Sequence, residues 1–505
     1  MGFLKKSANT TTTSPNQPVK SHEINFTKYM FWCAAVVSIS GFVTGWHIGA
    51  PNMPQYVISR CIYGTESESP LPVCLPMSDV TWGHTVGAFP LGALVGGLAT
   101  NYLNSLFSRR VNLIIAASWN ILGSLLSAVS VSVEMYAVGR AFVGIASGIA
   151  GASAAIYVAE ISTNRCRGAF GSFFGIFLNI AILIAQLIAR YMSFSYVWRF
   201  IWAIPAIISV VQIGLIFTVV ETPRRLCAVK QHDEARESLL KLRNHGDIEE
   251  EFEAIVESRR QEENIKLVSI WDIIRCQSRR LTWNAFIVVV VQMYNQVGGI
   301  GPMSVYSVGF LAKVFGGNTE LATNVVLAQA GANIIATFIA VVLIGWIGRK
   351  GCMLLSLLGM TTGAVFIVIG AVLDEPERLG PLVITGAILF SFTYCLGCAI
   401  VPWLIAPELL PLQALPAGAA MGTASNWLFN YLINTLWPLI DNDLGNYSFV
   451  LFAGINFGGF VFLLIFMPET TGKDIDRHDS IAEEKEDDEA TPVGSIQLVN
   501  EKTDL

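Results

Sequence analysis

Glu221-Thr222-Pro223-Arg224 closes one hydrophobic block of this chain, and Pro468-Glu469-Thr470-Thr471-Gly472-Lys473 closes a second. The two glutamates lie about 248 residues apart, and a single offset that relates several landmarks marks a duplicated unit. Arg109-Arg110 is echoed by Arg349-Lys350, and Tyr157-Val158-Ala159-Glu160 by Ile405-Ala406-Pro407-Glu408, at nearly that offset. In a membrane chain, two parallel halves meeting on a central axis are a common plan of secondary transporters.

The composition puts the chain in a membrane. Hydrophobic residues make up 53% and charged residues 14% of its 505 residues, whereas soluble domains carry about 25% charged residues. Apolar runs of about 20 residues, long enough to span a bilayer, recur along it. Twelve are expected, near 28–50, 80–103, 111–130, 134–159, 168–190, 198–220, 282–311, 322–346, 351–373, 382–410, 416–440 and 447–467. All should be helices, because hydrocarbon offers no partner to an open backbone. The expected fold is therefore an all-α membrane protein of twelve transmembrane helices in two pseudo-symmetric six-helix halves. A disordered cytosolic arm (1–27) precedes the first half (28–220). A charged, amphipathic helical linker (221–281) joins it to the second half (282–467), and an acidic tail (468–505) follows.

Sidedness follows from loop charge. Lys5, Lys6, Lys20 and Lys28 precede the first span, and Arg109, Arg110, Arg165, Arg167, Arg349 and Lys350 occupy alternate short loops. The opposite loops carry Glu66, Glu68, Asp79, Asp374, Glu375, Glu377, Asp441 and Asp443. The positive-inside rule places both termini in the cytosol. The sequence leaves open whether the membrane is the plasma membrane or a vacuolar or endosomal one. Residues 1–27 are polar, and no cleavable signal peptide is read there. Of the nine cysteines, Cys61 and Cys74 alone fall in an exofacial loop, and their pairing stays open. No Walker-A string, G-x-S-x-G elbow, H-E-x-x-H or metal-type cysteine pair appears, since Cys395-Leu396-Gly397-Cys398 lies within a span. The chain is thus expected to be no enzyme, to need no metal or cofactor, to bind no nucleic acid and to work as a monomer driven by gradients.

Polar residues at membrane depth are costly and so are functional candidates. His47 and Arg140 are the two most telling, with Gln186, Gln292, Asn295, Gln296, Gln329, Asn333, Asn426, Asn430 and Asn434 as neutral companions. Gln292, Asn295 and Gln296 share one helix face and precede Val297-Gly298-Gly299-Ile300-Gly301-Pro302, which should break the span. Amides and an indole such as Trp427 suit a polyhydroxyl ligand, which needs donors and acceptors without net charge. Interhelical hydrogen bonding uses the same residues. Glu160, Arg167, Arg109, Arg110 and Glu408 form a different group at the cytosolic face, where opposite charges can bridge the halves when the inside is shut.

These residues resemble the sugar porter family of the major facilitator superfamily, and within it the facilitative glucose transporters. The resemblance covers about 28–475. It rests on Gly45-Trp46-His47-Ile48-Gly49-Ala50-Pro51-Asn52-Met53-Pro54-Gln55, Gly139-Arg140, Tyr157-Val158-Ala159-Glu160-Ile161-Ser162, Arg167-Gly168-Ala169, Glu221-Thr222-Pro223-Arg224, Pro402-Trp403, Ser425-Asn426-Trp427 and Pro468-Glu469-Thr470. It implies a rocker-switch hexose carrier with the sugar held mostly by the second half. Asn295, Gln296, Asn333, Trp403 and Asn430 match the family's sugar contacts. Gly175, Gly301 and Cys395 stand where the family has a glutamine, an asparagine and a glutamate. Asn179, one turn from Gly175, is expected to replace the lost amide. Tyr102, Trp346, Gly345 and Leu415 replace usual charges of the inner gate. His47 stands where proton symporters have an aspartate and uniporters an amide, and the family pairs that position with Arg140. Burial and a neighbouring cation both oppose protonation of a histidine, so facilitated diffusion is expected. A proton-coupled sugar or polyol symporter and a non-transporting nutrient sensor are the alternatives.

Overall fold

In the computed structural model of the chain, the described residues are 27–64, 70–163, 166–243, 248–276, 278–373 and 376–470. The arm before residue 27 and the tail beyond residue 470 lie outside them, as do Glu66, Glu68, Arg165, Asp374 and Glu375. Helices and short turns account for the regular structure of the described residues, which contain no strand.

Among the described residues, ten helical stretches are long and apolar enough to cross a membrane. Two of them are double. Thr319–Val372 is bent at Gly348, whose φ of 75° is not helical. Leu415–Phe466 consists of Leu415–Leu444 and Ser448–Phe466. Counting each of these as two gives twelve apolar segments among the described residues, near the stretches the sequence predicts. Many starts are set locally: Thr27, Ser78, Ser108, Ser132 and Ser278 each accept a backbone N–H of the first turn through the side-chain oxygen.

Packing repeats with a shift of six spans. Spans one and five pack together as seven and eleven do, and three and six pack as the eight–nine pair does with twelve. Across the halves, two packs on eleven and five on the eight–nine pair. Small residues permit the close approaches that drive helix association in lipid. A Cβ at Gly41, Gly45 or Gly49 of span one would stand 2.6, 2.1 or 2.9 Å from the carbonyl oxygens of Phe174, Leu178 and Ile182 in span five.

Spans seven and ten are interrupted. Span seven runs Arg279–Val297, turns through Gly299 at φ 100°, and resumes as Ile300–Val305 and Ser307–Val314. Only glycine adopts that conformation freely, and a Cβ there would also meet the Phe452 ring at 2.6 Å. Span ten runs Pro376–Leu396 and resumes as Val401–Leu409.

Between the halves, the amphipathic stretches form helices at Pro223–Ala228, His232–Arg243, Glu249–Asn264 and Ile270–Ile274. Leu226, Cys227, Ala235, Leu239, Ile248 and Phe252 give them a small core. Buried Arg243 ties that unit to the bundle by donating to the Ile161 carbonyl at 2.9 Å and pairing with Glu251 at 2.7 Å. At the opposite end Cys61 and Cys74 form a disulfide.

Candidate functional site

The amides of spans seven and eleven converge beside the two breaks. Gln292 Nε2 donates to the Pro402 carbonyl at 2.9 Å, and Asn295 Nδ2 donates to that of Cys398, so span seven is pinned to the interruption of span ten. Asn426 Nδ2 donates to Gln292 Oε1 and to Asn295 Oδ1, each at 2.9 Å. Gln296 Nε2 donates to Asn295 Oδ1 and to Asn426 Oδ1, and Gln296 Oε1 accepts from Asn430 Nδ2 at 2.8 Å. The network has two tiers. Gln292, Asn295 and Asn426 are almost wholly buried and spend their groups on one another and on backbone. Asn430 is half-buried and fronts them.

A second cluster joins spans eight and ten. Gln329 Nε2 donates to Ser391 Oγ. Asn333, with its nitrogen turned toward the carbonyls, donates to Gln329 O at 3.3 Å and Ser391 O at 3.2 Å. Thr337 Oγ1 donates to Asn333 O at 2.8 Å and accepts from Asn179 Nδ2 at 3.1 Å. Asn179 therefore reaches across from the first half, while its Nδ2 also touches Gly175 O at 3.1 Å. A Cβ at Gly175 would meet nothing within 4 Å, so the glycine leaves a gap there. At Gly301 the reverse holds, because Asn434 fills the space. Cys395 is buried against Ala336 and Ala340. Trp403, at the start of the helix after the span-ten break, is 49% exposed.

His47 is fully buried in the first half, and sequence reasoning missed the groups around it. Asn120 Nδ2 is committed to Ser209 Oγ at 2.8 Å and to Pro205 O at 3.2 Å, which leaves Asn120 Oδ1 to accept from His47 Nε2 at 3.0 Å. That bond selects the Nε2–H tautomer, and Nδ1 has no partner among the described groups. The ring stacks on Trp202 at 5.9 Å. Arg140 does lie beside His47, yet both its Nη atoms hold the His47 backbone carbonyl, each at 3.2 Å, and not the imidazole. The guanidinium sits between the rings of Phe89 (5.1 Å) and Trp202 (5.0 Å). Phe89 meets Trp427 edge-on at 6.2 Å, so packed rings connect this cluster with span eleven.

The charged group at the other end of the bundle is built twice. Arg109 Nη2 pairs with Glu160 Oε1 at 3.1 Å, and Thr222 Oγ1 donates to Glu160 Oε2 at 2.6 Å. Glu221 accepts the backbone N–H groups of Arg109 and Arg110, at the open amino terminus of span three. In the second half Arg349 Nη2 pairs with Glu408 Oε1 at 2.7 Å, and Thr470 Oγ1 donates to Glu408. Glu469 accepts the N–H groups of Arg349 and Lys350 at 3.0 and 3.2 Å. The strings that reveal the duplication are thus the clamps of each half, a role the sequence reading did not give them. In this structure both ion pairs close within their own half. Arg167 starts a short helix, Arg167–Gly171, and its side chain lies outside what is described.

The halves meet at the disulfide end. Asn52 Nδ2 donates to Ser304 O at 3.0 Å and Ser307 Oγ at 2.9 Å, and its Oδ1 accepts from Val308 N at 3.1 Å. Arg190 and Glu320 approach to 3.8 Å between spans five and eight.

A family model described as "Sugar (and other) transporter" matches residues 33–481. The chain belongs to that family. Its members are transporters, and this chain is a multi-pass membrane protein of their kind. It is 28% identical over 455 residues to the rabbit (Oryctolagus cuniculus) solute carrier family 2, facilitated glucose transporter member 3, covering 88% of this chain and 91% of that one. It is 26% identical over 465 residues to facilitated glucose transporter protein 1 of Caenorhabditis elegans, covering 89% and 90%. Among solved structures, the inward-open xylose transporter XylE of E. coli matches with TM-score 0.72 at 20% identity, covering 89% of this chain and 98% of that one. The partially occluded inward-open form matches with TM-score 0.71 at 20% identity. That likeness establishes the major facilitator fold.

Proposed function

We propose that this protein moves a hexose or similar sugar across its membrane by alternating access and facilitated diffusion. The observation that carries the reading is the neutral amide array where spans seven and ten break. It offers donors and acceptors in a water-poor site and presents no charge, which matches a polyhydroxyl solute. The relatives named as facilitated glucose transporters support the same solute class. On this reading Asn295, Gln296, Asn333, Trp403, Asn430 and Asn179 serve the sugar. Asn295 acts as the brace behind the contacts, because both its polar ends are engaged. His47 and Arg140 set coupling, and Glu160, Arg167 and Glu408 govern the cytosolic gate. A disulfide forms in oxidising compartments, which supports an exofacial Cys61 end and cytosolic termini.

Uptake of labelled hexoses and polyols into proteoliposomes, with and without an imposed pH gradient, tests the proposal. Saturable sugar flux indifferent to the gradient is the expected result. Proton symport is the second reading, since Nδ1 of His47 is the one ring position left open. Sugar-driven proton entry that disappears in His47→Asn would establish symport instead, and saturable binding without flux would make the protein a sensor.

A further inference from the structure

In the second half, Asn434, Gln329 and Asn456 each keep a buried amide oxygen without a described donor, and of the three Asn434 is the one hydrogen-bonded into the amide array of spans seven and eleven. It lies one turn beyond Asn430 on span eleven and is only 4% exposed. Its Nδ2 donates to Asn430 Oδ1 at 2.7 Å and to Asn430 O at 3.0 Å. Its Oδ1 accepts from no described group. Folded proteins leave few buried acceptors without a donor, and each exception calls for an explanation.

The neighbourhood indicates what would satisfy it. Asn430 Nδ2 donates in turn to Gln296 Oε1. The amides therefore form a directed chain: each nitrogen points toward Gln296, and the free end is the Asn434 carbonyl oxygen. Both Asn430 and Gly301 flank that end and are partly exposed. A Cβ at residue 301 would lie 2.7 Å from Asn434 Nδ2 and 2.8 Å from Oδ1, so glycine at 301 is what lets Asn434 occupy this place. Tyr306 Oη donates to the Asn434 backbone carbonyl at 2.9 Å and fixes this turn of the helix. The groups shown against this end, Asn430, Gly301 and the Tyr306 phenol, are neutral, and the phenol is already engaged. A cationic donor would find no counter-charge, and a hydroxyl is the neutral donor that fits a lone amide oxygen.

We propose that Asn434 is a specificity-determining residue, whose Oδ1 accepts a hydrogen bond from one hydroxyl of the transported sugar. The inference rests on the sugar-carrier reading and names the residue that reads one position of the ring. A site built to bind a hydroxyl rejects the analogue that lacks it.

The test is a deoxy-sugar scan on the full-length protein in proteoliposomes. It uses whichever of D-glucose, D-galactose and D-fructose is bound best, together with its monodeoxy derivatives. Wild type should bind one of these derivatives weaker by about tenfold or more. Asn434→Ala should weaken the parent sugar by a similar factor and erase that one penalty, while the penalties at other positions persist. A residue that only supports the fold would weaken every sugar alike, and that result, or an unchanged profile, overturns the proposal. Gly301→Asn alone should clash and lose binding, and adding Asn434→Gly should restore it with the selective penalty. If the double variant binds no better than Gly301→Asn, the proposal also fails. Wild type that binds none of the three sugars sinks the carrier reading and this inference together. Sugar uptake with an unaltered Asn434→Ala profile sinks the inference alone.

Discussion

At the scale of single residues, the sugar-carrier reading divides the work of binding and bracing among the amides of span seven. Both amide hydrogens of Gln296 are engaged in this structure, and its oxygen accepts from Asn430 with one lone pair left over. A sugar hydroxyl that donates to that lone pair displaces nothing, whereas one that accepts from the nitrogen must exchange with a present partner, which keeps the net gain of that contact modest. Gln296→Ala strands Asn430 Nδ2, and a buried group left unpaired costs about 1–3 kcal/mol. Hexose affinity should fall by about tenfold or more, with some loss of thermal stability; calorimetric titration at unchanged affinity would remove Gln296 from the site. Asn295→Ala should behave differently. It frees the Cys398 carbonyl and loosens the joint between the two breaks, so its main effect should be on melting temperature.

At the scale of elements, helix ends carry the charge chemistry. Spans three and nine each begin with open N–H groups, and a glutamate from the far end of the same half closes them. The adjacent threonine reaches the glutamate that pairs with the arginine, so each half has a three-residue lock. In the present arrangement Glu160 is coupled to Arg109 and Glu408 to Arg349. A double-mutant cycle on thermal unfolding should give a coupling of about 1–3 kcal/mol for Glu160 with Arg109, because both are largely buried. Glu160 with Arg349 should show none in this state. Coupling of similar size across the halves would mean that the resting protein is closed at this end.

At the scale of the whole molecule, Asn52 is the clasp that holds the disulfide end shut, with three hydrogen bonds to the second half. Each is worth about 1 kcal/mol net, and they exist only in states closed at that end. Asn52→Ala should therefore shift the equilibrium toward opening there by about tenfold or more. Labelling of a cysteine placed at Gly309, opposite Tyr56, should speed up from the disulfide side; an unchanged rate would show that helix packing alone closes this end.

The sequence by itself determined the membrane class, the twelve segments, the duplication and both the Gly-rich break and the residue types of the site. Each depends on local physics: apolar length, caps, glycine conformation and the need to satisfy backbone inside lipid. Only the tertiary structure decided which amide meets which. Asn295, Gln296, Asn426, Asn430 and Asn434 carry the same group, and their roles differ through helix rotation and crossings that a string of letters does not encode. The same reason explains why Arg140 holds a carbonyl rather than a ring, why Asn179 crosses to Thr337, and why Glu221 and Glu469 turned out to cap helices more than a hundred residues earlier in the chain. Partner choice is a matter of distances near 3 Å, and those are fixed only once the helices have packed.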